Sequence, residues 1–243
     1  MGWRSRLAVL ACLAVVAAVA PADIIVNYTL DAGGNNSEAL AGLGARATFS
    51  LSGTHLAILL GNTSTGVPAS FEVSDSLLVS LGFNLPAGVF IASGAAAQIG
   101  PGSAGLGSWS ARTAGASVGE QWIWTNDFGG DLMESYAQVI STSSGQGGGT
   151  VTRFDGGSGT VSGPFGGIAT KPPMLTVPGS QPAVGNSIAF DLTLSSGLSA
   201  GQLAAVANAS IVEFGSDARY LGVPEPAAVV LALAGLVFAR RRC

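Results

Sequence analysis

Residues 45–61 constrain the fold more than any other stretch of the chain. Ala45, Ala47, Phe49 and Leu51 alternate with Arg46, Thr48 and Ser50, and after Ser52-Gly53 the run from His55 to Leu60 takes over. Strand side chains repeat with period two, so strict alternation sends one set into a core and the other to solvent. A helix, with period 3.6, would smear both sets around its surface. The segment reads as a β-hairpin with one buried face. His55 falls opposite Leu56, Ile58 and Leu60, as a solvent-facing strand residue.

Similar punctuation continues along the chain. Strands are predicted at residues 70–74, 77–85, 89–99, 121–125, 187–194 and 209–214, with a turn at Pro86-Ala87-Gly88 and with Trp122 and Trp124 sharing one side of their strand. Ile188, Phe190, Leu192 and Leu194 repeat the alternating pattern. Ser199 stands as the N-cap of a helical turn over residues 199–203. Residues 141–167 crowd glycine and serine around Val151, Phe154 and Phe165, and read as a long surface loop or two weak strands, before a break at Lys171-Pro172-Pro173. The chain's 36 glycines and only 10% charged residues suit short strands joined by tight turns. The expected fold is all-β: one antiparallel, jelly-roll-like β-sandwich over residues 23–222.

Two apolar segments flank that body. Arg4 and Arg6 precede an apolar run over residues 7–19 and the small-residue site Ala20-Pro21-Ala22, the pattern of a signal helix removed before Asp23. Cys12 opens a lipoprotein alternative, against which Leu10 is bulky where a small residue is wanted. At the other end, Val223-Pro224-Glu225-Pro226 leads into thirteen apolar residues, 227–239, then Arg240-Arg241-Arg242 and Cys243. Thirteen helical residues reach only about 20 Å, short of a hydrocarbon core of roughly 30 Å. Such a short transmembrane helix suits a transient anchor with its arginines held on the cytoplasmic side; a tail anchor that is never cut is the alternative.

Pro224, Glu225 and Pro226, with the apolar run and the arginine stop behind them, resemble the PEP-CTERM sorting signal of bacterial surface proteins. That resemblance implies recognition and cleavage by the membrane protease exosortase, with residues 223–243 as the sorting tail. Residues 53–66, 81–86 and 211–216 are also similar to a β-rich domain found in exosortase-dependent surface proteins, and no enzymatic activity comes with it. Residues 23–225 carry five basic against fourteen acidic residues, a net charge of −9. This repels nucleic acid and anionic lipid head groups. Both cysteines lie in the flanking segments, so the body has neither a disulfide nor a thiolate metal site.

Few residues offer chemistry. His55 is the only histidine, so any Ser-His-Asp arrangement must use it, and no Gly-x-Ser-x-Gly elbow accompanies it. Asp127-Phe128-Gly129 matches a kinase tripeptide in letters alone. Glu120, Asp127, Asp131 and Glu134 form an acidic cluster in which Asp127 and Asp131, with Asn126, are weak calcium candidates, without the EF-hand spacing. Trp122 and Trp124 either stack on sugar rings or pack a strand face into the core, and Trp109, after Gly105-Leu106-Gly107-Ser108, is the better surface candidate for sugar contact. Asn27, Asn35, Asn62 and Asn208 head Asn-x-Ser/Thr sequons. The expectation is an exported, non-enzymatic surface or extracellular-matrix protein without a cofactor. Its partners would be signal peptidase, exosortase, the membrane through the transient tail helix and, in the alternative reading, exopolysaccharide bound by the sandwich.

Overall fold

The computed structural model describes residues 23–33, 40–67, 72–127, 132–143, 151–157, 161, 163–170, 180–215 and 219–224. The expected signal segment, most of the expected sorting tail and Cys243 lie outside the described residues. Among the described residues no helix is long and apolar enough to cross a membrane.

The predicted hairpin is present and organises a five-stranded antiparallel sheet. β3 (Ala45–Ser52) and β4 (His55–Asn62) pair from Ala45↔Asn62 to Ser52↔His55, leaving Gly53 and Thr54 as the turn. Gly53 takes φ +62°, a conformation that costs glycine little. β1 (Ile24–Tyr28) extends the sheet beyond β3, and β13 (Ser187–Leu194) and β6 (Ile91–Ile99) extend it beyond β4. The order is β1-β3-β4-β13-β6.

A ten-stranded sheet holds the remaining strands. Its main path is β10 (Thr152–Arg153), β8 (Ile123–Thr125), β9 (Gln138–Ser141), β5 (Leu78–Phe83), β11 (Ile168–Ala169), β12 (Ala183–Gly185) and β7 (Ala104–Leu106). β14 (Ile211–Phe214) pairs with β5 and with β15 (Arg219–Gly222), which in turn pairs with β2 (Leu30–Asp31). All pairs are antiparallel except β11 with β12.

Both sheets contribute to one core. Phe49, Ile58 and Phe190 from the first meet Leu81, Phe83 and Val212 from the second, together with Trp122. Phe49 and Phe83 lie edge to face, centroids 6.3 Å apart, an arrangement that adds about 1 kcal/mol beyond area burial. Among the described residues the one α-helix, α1 (Ala200–Asn208), closes this core with Leu203, Val206 and Ala207. Ser199 is its N-cap as expected, with a reciprocal capping box to Gln202, and the helix runs well past one turn.

The two sheets differ in what covers their far faces. Loops bury the far side of the ten-stranded sheet in two smaller clusters, one around Leu77, Val79, Ala169 and Ala183, the other around Ile123, Met133, Val139 and Tyr220. All six residues of β5 are therefore buried. The five-stranded sheet instead keeps the alternation of an antiparallel sheet with one wet face: β4 reads exposed at His55, Ala57 and Leu59 and buried at Leu56, Ile58 and Leu60.

Two expectations are corrected. Of the predicted strand at 70–74, residues 70 and 71 lie outside the described residues and Val73–Ser76 form a 3-10 turn. Asp75 explains the difference: its carboxylate accepts a hydrogen bond from the Glu72 backbone N–H at 2.9 Å, a local bond that competes with strand pairing. Within 141–167, Thr152–Arg153 pairs with β8, in line with the weak-strand alternative, but Phe154 and Val161 are buried rather than on the surface.

Candidate functional site

Among the described residues, the open face of the five-stranded sheet carries a candidate site. Register sets its layout: Ser50, Ala57, Asp191 and Ala96 form one row across β3, β4, β13 and β6. On one side lies the row Ser52, His55, Thr193 and Ser93, and on the other Thr48, Leu59, Ala189 and Gln98. Alanines at 57, 96 and 189 stop at Cβ in the middle of this array. The result is a hollow of about 530 Å³, whose rim includes Ser50, Ser52, His55, Gln98 and Asp191.

Among the described residues the hollow's polar groups form no nucleophile–base pair. Ser50 Oγ donates its proton to Asp23 Oδ1 at 2.5 Å. Among the described residues no hydrogen bond joins His55 to a serine or to Asp191, the contact that activates a nucleophile. The Asp191 carboxylate has no hydrogen bond or ion pair among the described residues, and its cross-strand neighbours, Ala57 and Ala96, are both apolar.

The tryptophans sit elsewhere than the sugar-contact reading requires. Trp122 is fully buried, its Nε1 donates to the Gly166 carbonyl at 3.0 Å, and its ring lies 4.9 Å from that of Phe190. Trp109 is 7% exposed and belongs to the main core, which corrects its expected place on the surface. The glycines around it are the reason. A Cβ on Gly105 would stand 2.0 Å from the Trp109 carbonyl oxygen, and one on Gly107 would stand 1.9 Å from that of Gln181. Their bare backbones let the chain pack tightly against the Trp109 and Gln181 backbones, and Arg112 covers the indole with its guanidinium 4.5 Å from the ring centroid. Trp124 is half-buried against Gly94, on the same side of its strand as Trp122.

The calcium reading loses one of its ligands. Asn126 Oδ1 accepts from the Ile91 N–H at 2.8 Å while its Nδ2 donates to the Ile91 carbonyl at 2.9 Å, so the amide acts as a strand partner. Glu120 is paired with Arg112 at 2.5 Å. Asp127 is exposed, and Asp131 and the Glu134 side chain lie outside the described residues. Among the described residues no group of three or more His, Cys, Asp or Glu could hold a metal ion.

Pro224, the first residue of the sorting motif, is exposed two residues beyond β15; Glu225, Pro226 and Arg240, Arg241 and Arg242 lie outside the described residues. The sequence counts Arg219 among the five bases of the body and assigns it no role. Arg219, fully buried on β15, ion-pairs with Asp75 at 3.4 Å and ties the last hairpin to the turn before β5. Asp191, Ser50, Ser52 and Gln98 were also not singled out, because only strand order brings them together. Comparison with protein-family models, curated proteins and solved structures returns no match.

Proposed function

We propose that the chain is an exported, non-enzymatic protein of the cell surface or extracellular matrix, cut by an exosortase at Pro224-Glu225-Pro226. The observation that carries this reading is the way the chain leaves the fold. The last strand ends at Gly222, and Pro224 stands exposed immediately afterwards, where a membrane protease can reach it. The strands run from Ile24 to Gly222, which fits a body of residues 23–222 between a signal segment and a sorting tail. Two sheets sharing one core support the finer description of that body as a jelly-roll-like sandwich. Signal peptidase and exosortase are the processing partners, and the membrane is a transient one.

Intact-mass analysis of the protein recovered from the surface of its native host tests this reading. The expected species begins at Asp23 and lacks Arg240 to Cys243; a surface protein that retains those four residues overturns the processing step.

A second reading, a carbohydrate-binding module, is favoured by the polar-rimmed hollow on the open sheet face. The burial of Trp109 and Trp122 removes two of its three anchors, Trp124 is half-buried, and the hollow becomes its basis.

A further inference from the structure

We infer that the hollow on the five-stranded sheet binds an internal stretch of a neutral glycan, with Asp191 as its anchoring acceptor. This rests on the carbohydrate-binding reading and gives it a different site.

Asp191 lies on β13, with β4 on one side and β6 on the other. Cross-strand pairs are the unit of sheet stabilisation, and a carboxylate set between Ala57 and Ala96 gains nothing from either. Folding therefore does not account for its charge, whereas a ligand that donates hydrogen bonds does.

The surrounding chemistry narrows the ligand. Asp191 accepts; the Gln98 amide and the Ser52 hydroxyl both donate and accept; the His55 imidazole carries a donor and, when neutral, an acceptor. A metal ion would need acceptors alone and a phosphate or sulfate donors alone. Sugar hydroxyls do both, and the methyl floor of Ala57, Ala96 and Ala189 suits the C–H face of a sugar ring. The Asp191 carboxylate and the charge of −9 over residues 23–225 repel uronic acids, which selects neutral sugars. The hollow draws residues from four adjacent strands, spanning about 14 Å at roughly 4.8 Å per strand. It lies on an open face, so a polymer can cross it without presenting an end.

Affinity electrophoresis of the full chain in gels containing dextran, galactomannan or hydroxyethylcellulose tests the inference, with polygalacturonate as the acidic arm. The expected result is retardation by at least one neutral polymer and none by polygalacturonate. Asp191→Ala weakens the dissociation constant about tenfold or more, the scale of a charged hydrogen bond. Ala57→Gln, which fills the hollow from an exposed position, abolishes retardation at an unchanged unfolding midpoint. Asn27→Ala, on β1 outside the hollow, leaves retardation unchanged. If a neutral polymer retards both Asp191→Ala and Ala57→Gln as it does the parent chain, the site is wrong while the carbohydrate reading stands. If no neutral polymer retards the parent chain, or only polygalacturonate does, the inference is overturned; retardation by none of the four overturns the carbohydrate reading as well.

Discussion

Asn62 locks the two sheets together with one amide. It ends β4 in the five-stranded sheet, yet its Nδ2 donates to the carbonyls of Ser76 and Ile168, each at 2.7 Å, on the side of the ten-stranded sheet. Its Oδ1 accepts from the Ser64 N–H at 3.0 Å, so the side chain is satisfied at both ends. Asn62→Leu leaves two carbonyls without this donor, and we predict a loss of about 3 kcal/mol in urea unfolding. The same burial closes the Asn62 sequon to sugar attachment in the folded chain, whereas Asn27 and Asn208 stay exposed. Tyr28 is the other residue whose behaviour follows from burial. Loss of hydration pushes its phenol above the usual tyrosine range, opposed by the 2.6 Å hydrogen bond with Ser210. The folded state holds Tyr28 neutral while the unfolded chain ionises it near pH 10, so this contribution is whole below pH 10 and is lost as pH rises further. The predicted slope is about 1.4 kcal/mol per pH unit in that window. Tyr28→Phe removes it, at the cost of the Ser210 bond at neutral pH; urea midpoints at pH 8 and pH 11 measure both effects.

Secondary-structure elements divide by how local their signals are. The β3–β4 hairpin, the inward row of β13 and the α1 cap each rest on contacts within a few residues, and all three were legible. Ser199 Oγ accepts from Gln202 N at 3.3 Å, and Gln202 Oε1 accepts from Ser199 N at 2.8 Å. Replacing Ser199 with Ala is expected to cost about 1 kcal/mol in thermal or urea unfolding, and Ser199→Gly only a few tenths. β7 behaves differently. It has three residues, Ala104–Leu106, and its partner β12 begins at Ala183. No local periodicity announces such a strand, and glycines 105 and 107 read as a flexible loop that would expose Trp109. They instead permit close packing against the Trp109 and Gln181 backbones, so Gly105→Ala is predicted to destabilise by about 2 kcal/mol or more, because the added methyl meets backbone that cannot step aside. Circular dichroism melts of the two variants separate the mild cap loss from the steric one.

For the whole molecule, covering decides which face is available for function. The central strands of the ten-stranded sheet are buried on both sides and the five-stranded sheet on one, which leaves the His55 face as an open platform. The body is held without cysteine, since Cys12 and Cys243 both lie outside residues 23–224. We therefore predict that a thiol reductant leaves the unfolding midpoint of the protein unchanged; a downward shift would require a cross-link outside this body. What the amino-acid order determined by itself was local: which residues of β3, β4 and β13 turn inward, where α1 begins and that the body is acidic. Those properties follow from side-chain periodicity, capping and charge, which act over a few residues. Only the tertiary structure decided that Trp109 is covered, that Arg219 meets Asp75, and that Asp191 stands between two alanines above a hollow. Each of those depends on which distant strands become neighbours, and strand order is set by the sum of packing over the whole core.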